Sequence, residues 1–515
     1  MELIKDVIKV DNRIDFGKFQ TFIESELVVP DKKLDVEEII DVMGYISIKK
    51  IELNEGKITI RGCFNYNIIY LATDKNTISN MNGKIDINEV IEKDNINQDM
   101  ENMLFAEVEH IDFTIMNERK IKLGALMNIK GSLFEKKKIN IVKDVSQVED
   151  VQKFRKEITY QDIVGIESGE SSIKDNININ MEQIDSIISL NPTVKIKDTR
   201  VADNKVIIGG CVEINPLAST YDSEVVELDK IGIDFTQFIE VPGACEGMKD
   251  EVLINIGEFN YNFNESTENM GSLEIDCVVN CKVKIIDEVT REFLQDAYSP
   301  HKIIKFDHKS VQVNKLLTSD TETFPIRETI KNTNDSVQIK DVISCNANIS
   351  IENNYIEKDK SIIQGIVRLD ILYVPVEGLK LLYKITEEIP FKHEMDIENL
   401  NEDCKVFNSV CIEKLDLDLN KDEIDLSMKV RRYVEAMDKS VERFIVKGED
   451  LGEYDLSKAP SLIVYICKEG DTLWNVAKKY NTTEDEIAEL NELKLDEKLV
   501  PGKCLILEKK VSLFD

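Results

Sequence analysis

Tryptophan occurs once in this chain, proline ten times and histidine four times among 515 residues. Each scarcity excludes something. His110, His301, His308 and His393 have no partner at HExxH or HxxxH spacing, so no zinc-hydrolase motif is present. All four read as solvated surface residues. The ten cysteines include no CxxC pair. Cys277 and Cys281 share a strand face but lack the two further ligands of a structural zinc site. With Cys63, Cys211, Cys467 and Cys504 they lie in apolar runs and read as small core hydrophobes. No run approaches the roughly 20 apolar residues that span a bilayer. The N-terminus, MELIKDVIKVDNRIDFGKFQ, has neither an apolar run of signal-peptide length nor a small-residue cleavage site. The expectation is a cytoplasmic protein with no direct membrane insertion.

Basic charge is also short. There are 65 Lys and Arg against 98 Asp and Glu, a net charge of −33. Such a field repels phosphate backbones and anionic lipid, which argues against nucleic-acid partners. Gly209-Gly210 is not followed by a phosphate-loop pattern, and ESGESS (residues 167–172) is no nucleophile elbow. The chain is therefore read as non-enzymatic, with no catalytic residue, metal site or cofactor.

What is present is a repeat. A strand with a central glycine occurs as IRGCFNY around Gly62, IGGCVEI around Gly210 and IQGIVRL around Gly365. Two copies continue alike, into Ile68-Ile69-Tyr70 and Ile371-Leu372-Tyr373; the middle one departs with Pro216-Leu217-Ala218. The glycine reads as marking a β-bulge or a close backbone approach. Upstream lie polar hairpin turns at Asn54-Glu55-Gly56, Asp203-Asn204 and Glu357-Lys358. Before those, DVEEIIDVMG, MEQIDSIISLN and VQIKDVISCN read as one or two helical turns. Downstream, paired alternating strands such as LDLDL (residues 415–419) close each copy. The fold class predicted is mainly β: three antiparallel sandwich- or barrel-like units at residues 15–148, 158–300 and 312–447, then a small β-α-α-β domain at 461–510. Short charged linkers are expected at residues 148–153, after Pro300 and at 447–450, and residues 451–460 lead into the last domain.

The last domain carries the clearest local signals. Asp471 or Thr472 caps a helix whose apolar face is Leu473, Val476, Ala477 and Tyr480. Thr483-Glu484-Asp485-Glu486 is a capping box for a second helix that buries Ile487 and Leu490 and ends at Asn491. Pro501-Gly502 turns the chain into a closing strand. Its charge from residue 461 to 515 is 8 basic against 11 acidic, so the acidity belongs mostly to the repeats.

GDTLWNVAKKY, the T-x-x-E-I-x-x-L-N helix and the PG-K-x-L close resemble the LysM module. That resemblance implies a shallow groove between the loop at residues 470–473 and the loop near residues 499–502. Its residues would be Gly470, Asp471, Thr472, Leu473, Trp474, Asn491, Leu499, Val500, Pro501 and Gly502. Gly470-Asp471-Thr472 is equally readable as a helix start, and Trp474 as a packed core aromatic. In the LysM family the groove binds peptidoglycan, chitin and other N-acetylglucosamine oligomers, which sits poorly with a chain that lacks an export signal. The repeats and the tail together resemble the SipL-like clostridial spore-coat morphogenetic proteins. That likeness implies a mother-cell scaffold at the forespore surface and spore coat. The module would dock a SpoIVA-like coat morphogenetic ATPase, and the β units would recruit other coat proteins or self-associate. A peptidoglycan-binding cell-wall protein is the alternative. A hydrolase would need a catalytic domain for which the sequence has no signal.

Overall fold

The computed structural model describes residues 1–515 except 75–76, 181–182, 223, 266–269, 333–336, 379, 422, 455–461 and 509–515. The approach to the last domain at 455–460, and its expected end residues 461, 509 and 510, therefore lie outside the described residues. The chain is mainly β. Unit 1 comprises β1 (Glu2–Asp15), β2 (Phe19–Val28), β3 (Val36–Asn54), β4 (Lys57–Ala72), β5 (Ile78–Glu92), β6 (Glu101–Asn117) and β7 (Lys120–Ser146). Unit 2 begins with β8 (Gln152–Asn180), β9 (Ile184–Ser189), β10 (Pro192–Ala202), β11 (Lys205–Ile214) and β12 (Leu217–Thr220). It continues with β13 (Val225–Glu227), β14 (Ile231–Glu240), β15 (Lys249–Glu265) and β16 (Met270–Tyr298). Unit 3 holds β17 (Lys302–Lys331), β18 (Ile339–Glu357), β19 (Lys360–Pro375), β20 (Tyr383–Asp396), β21 (Lys405–Asn420) and β22 (Glu423–Glu453). The last domain is β23 (Leu462–Ile466), α1 (Leu473–Tyr480), α2 (Glu484–Leu490) and β24 (Cys504–Glu508).

Each unit opens and closes on one long antiparallel ribbon: β1 and β2 with β7, β8 with β16, and β17 with β22. A third strand, β6, β15 or β21, forms a hairpin with the closing strand. A second sheet, β3-β4-β5 in unit 1 and β18-β19-β20 in unit 3, faces the ribbon across an apolar core. The expected bounds at residues 312 and 447 fall inside β17 and β22, because the charged residues there occupy the outward positions of an unbroken strand.

The glycine strands are β4, β11 and β19, the central strands of these sheets. The partner strand carries a bulge at the same place each time: opposite Gly62 at Ile48, opposite Gly210 at Ile196 and opposite Gly365 at Ile351. A Cβ at Gly62 would lie 2.2 Å from the Ser47 carbonyl oxygen, and one at Gly365 2.0 Å from that of Ser350. The repeated glycine is thus the space into which the bulged carbonyl turns.

The three segments read as helical turns are strands, in β3, β9 and β18, with Met181 and Glu182 outside the described residues. Bulges give these strands a helix-like pattern. β3 shifts register between Val36 and Glu38 and again between Ile39 and Asp41, so Val36, Ile39 and Val42 all face the core of unit 1. Two bulges convert period two into a spacing of three, which imitates one side of a helix.

Unit 2 departs where its sequence does. Proline has no N–H to extend a ladder. The strand equivalent to β4 stops before Pro216, and β12 joins β9 and β13 in a separate small sheet. The strand equivalent to β3 likewise breaks before Pro192.

The units share two apolar cores. One takes three residues from each unit: Met43, Ile69 and Ile78; Ile188, Leu217 and Val225; Ile343, Leu372 and Leu382. The other joins the three ribbons through Ile8, Ile139, Tyr160, Phe293, Val313 and Phe444. Beside it lies a buried charge cluster drawn from all three units. Arg13 Nη1 meets Glu435 Oε1 at 2.7 Å, and Lys284 Nζ meets Glu435 Oε2 at 3.3 Å and also pairs with Glu251. The Tyr433 hydroxyl donates to Glu435 Oε2 at 3.0 Å. Burial alone would raise the Glu435 pKa, but Arg13 and Lys284 outweigh it and hold the carboxyl well below its usual range.

Candidate binding site

The last domain folds as its local signals direct. β23 and β24 pair antiparallel, with Tyr465 opposite Leu505 and Val464 opposite Ile506. Tyr465, Cys467, Leu505 and Leu507 point into the domain core. The alternate residues Leu462, Val464, Ile466 and Ile506 are exposed. The Asn475 N–H donates to the Thr472 Oγ1 at 3.2 Å, so Thr472 is the N-cap of α1. Asn481, at φ 54°, ends it. Thr483 and Glu486 form the capping box of α2. Ile487 is buried as expected, but Leu490 is 40% exposed. α2 has only seven residues, and the chain turns at Asn491 before Leu490 is covered; Ala488 supplies the second inward position.

Gly470 is exposed at φ +83° and Gly502 at φ +88°, each with open space where a side chain would stand. Asp471 accepts from the Lys468 N–H and the Tyr465 hydroxyl, both at 2.7 Å. These donors hold its carboxyl below the usual range, and the Asp471 carboxylate in turn pushes the Tyr465 phenol up to about 12. The two expected loops are brought together through Cys467: its N–H donates to the Lys503 carbonyl at 2.8 Å, and its carbonyl accepts from the Gly502 N–H at 2.9 Å. Val500, Pro501 and Gly502 are exposed, and Leu499 is half-buried. Leu473 is in the core. The Asn491 side chain accepts from the Ile506 N–H and donates to the Ile506 and Ile487 carbonyls, so it staples α2 to β24.

Trp474 is placed elsewhere. It is 8% exposed and faces unit 2, where its Nε1–H donates to Asp296 Oδ2 at 3.1 Å. Its ring lies 5.0 Å from Tyr298, edge-on, and 5.3 Å from Phe154. Lys478, one turn on, places Nζ 2.6 Å from both Asp296 carboxylate oxygens. The Tyr298 hydroxyl donates to the Thr482 carbonyl at 2.9 Å. α1 is therefore seated on the open end of the β8–β16 ribbon. Phe154, Asp296 and Tyr298 were missed in the sequence, where nothing links strand ends in unit 2 to a module some 180 residues on.

Other candidates are structural. Cys277 and Cys281 are buried, and burial pushes their thiols up to about 12 and about 11. Cys504, expected inside, is exposed on the outer face beside Ile466. His393 is not a solvated surface residue: it stacks on Phe324 at 4.0 Å, and burial and Arg432 lower its pKa. Among the described residues no group of three or more His, Cys, Asp or Glu side chains could hold a metal, and no helix is long and apolar enough to cross a membrane.

The family comparisons follow this division. The SipL, SPOCS domain family matches residues 35–116, 183–264 and 338–420, one stretch in each unit. The LysM domain family matches residues 465–507. Both are non-catalytic binding or adaptor domains, and the LysM match supports binding of the peptidoglycan and N-acetylglucosamine type. No curated protein and no solved structure matches the chain. Three SPOCS domains followed by a LysM domain make the SipL-like architecture, and this chain is one of the sporulation-related LysM proteins that carry it.

Proposed function

We propose that the chain is a non-enzymatic adaptor in spore coat assembly whose LysM domain docks a SpoIVA-like coat morphogenetic ATPase at the forespore surface. The observation that carries this reading is where the aromatic rings stand. Trp474 is withdrawn against Asp296 and Tyr298, and Tyr465 is buried. No aromatic residue among the described part of the domain is exposed to stack on a sugar ring. What the domain presents is apolar and aliphatic: Leu462, Val464 and Ile466 on β23, Ile506 on β24, and Val500 in the adjoining loop are all at least 42% exposed. Such a face suits a protein partner. The contact would combine it with the loops at Gly470 to Leu473 and Leu499 to Gly502. The three units, locked at their common centre, would present coat-protein binding or self-association surfaces around it.

The test is coprecipitation of the purified ATPase by the full chain and by a chain ending at Tyr454. Capture by the first and loss in the second is the expected result; equal capture by both contradicts the reading. A second reading, glycan binding, is favoured by the two exposed, adjoining glycine loops. Titration of the full chain with chito-oligosaccharides decides it: saturable binding lost on Gly502→Val would establish the glycan as ligand.

A further inference from the structure

The tetrapeptide Phe-Asn-Tyr-Asn occurs twice, at Phe64-Asn65-Tyr66-Asn67 in β4 and at Phe259-Asn260-Tyr261-Asn262 in β15. The two copies are not equivalent in the repeat, since β4 is a central sheet strand and β15 a ribbon hairpin strand. The fold nevertheless brings both to one cleft of about 530 Å³ between units 1 and 2. The third wall is the break between β9 and β10, at Ser189 to Pro192. This volume lies within the roughly 300–1,000 Å³ of small-molecule sites.

The lining is unlike the rest of the molecule. In a chain of net charge −33, Lys84 is the one charged residue among those that line the cleft. Six asparagines and five aromatic rings dominate it. Register sets them in rows: Tyr45, Asn65 and Lys84 are cross-strand neighbours, and so are Met43, Asn67 and Asn82. Cross-strand neighbours present side chains on one face. From unit 2, the Tyr261 hydroxyl accepts from Asn82 Nδ2 at 3.3 Å across the cleft. Behind the lining, Ser189 Oγ, in a residue 2% exposed, and Asn65 Nδ2 are closed off from solvent and have no partner in the protein. Unpaired buried polar atoms are uncommon.

A matching ligand is uncharged. It offers hydroxyls that donate and accept, as carboxamides require. It also has a C–H face to lie on tyrosine and phenylalanine rings. β4 has both backbone edges taken by β3 and β5, so recognition on that wall is through side chains alone. We propose that this cleft is a binding site for a neutral oligosaccharide, held between the two Phe-Asn-Tyr-Asn strands.

The test is calorimetric titration of the full chain with maltotetraose, cellotetraose and tetra-N-acetylchitotetraose. At least one is expected to bind with Kd below about 1 mM, and Tyr261→Ala to weaken that binding at least about tenfold. Asn82→Ala, at an exposed position, tests the same cleft without risk to the core and is expected to weaken it about threefold or more. Gly502→Val, in the LysM loop, is expected to leave it unchanged. The proposal is overturned if none of the three sugars binds at about 10 mM, if binding survives unaltered in the folded Asn82→Ala chain, or if Gly502→Val removes it.

Discussion

The shared centre of the three units and the seat of the LysM domain are both inter-domain contacts, yet they are built to different standards. At the centre, Arg13, Lys284 and Glu435 come from different units and are each at most 9% exposed as side chains. At the seat, one carboxylate, Asp296, receives both Trp474 and Lys478, and the Lys478 side chain is 41% exposed. A half-exposed ion pair contributes about 0–1 kcal/mol, and an aromatic pair about 0.5–1.5 kcal/mol. The centre is inseparable from the fold of each unit. The seat positions a domain that folds around its own core.

The sharpest way to break that contrast is Glu435→Ala. It strands Arg13 as a buried unpaired cation and leaves Lys284 with Glu251 alone, and a loss of about 3–5 kcal/mol is expected in urea unfolding. A loss below about 1 kcal/mol would place the centre on a level with the seat. Next is Asp11, also at the centre. Burial raises its carboxyl from 3.8 to about 6 against the opposing Ile163 N–H. Because the folded pKa is the higher, its contribution is fully present below about pH 4 and is lost as pH rises through 6. Asp11→Asn should therefore stabilise the chain at pH 7 by up to about 3 kcal/mol and flatten the pH dependence of stability between 4 and 6. Gly365→Ala, which drives a Cβ against the Ser350 carbonyl, is expected to cost about 1–3 kcal/mol in the same assay. The smallest effect on stability is expected from Asp296→Ala, about 1 kcal/mol. Its effect on the seat should be plain. The chain has one tryptophan, so emission reports Trp474 alone, and a red shift with easier acrylamide quenching is expected. An unchanged spectrum would mean that the seat does not depend on Asp296.

The same contrast separates what was legible in the sequence from what was not. The LysM fold was readable because its signals are local: Thr472, Thr483 and Glu486 cap helices within three residues of themselves. The repeated glycine was readable as a bulge site because only glycine admits the Ser47 or Ser350 carbonyl. The departure of the middle repeat at Pro216 was readable, but that it splits the sheet of unit 2 was not. The strands read as helical turns were not legible, since paired bulges at Val36 and Ile39 copy the helical period. Nor was the role of Trp474. Its place against Asp296 depends on two strands of unit 2 ending under α1, a contact with no local signature. The two Phe-Asn-Tyr-Asn stretches become one cleft only through the packing of unit 1 on unit 2, which has no signature in either stretch.

On the proposed function, the LysM domain is held by one face and docks its partner with another. Affinity of the full chain for the purified coat ATPase, compared between Val464→Asp on the outer face and Asp296→Ala at the seat, tests it most directly. A loss of at least about tenfold is expected for Val464→Asp and little change for Asp296→Ala. Undiminished binding by Val464→Asp, with loss in Asp296→Ala, would contradict it.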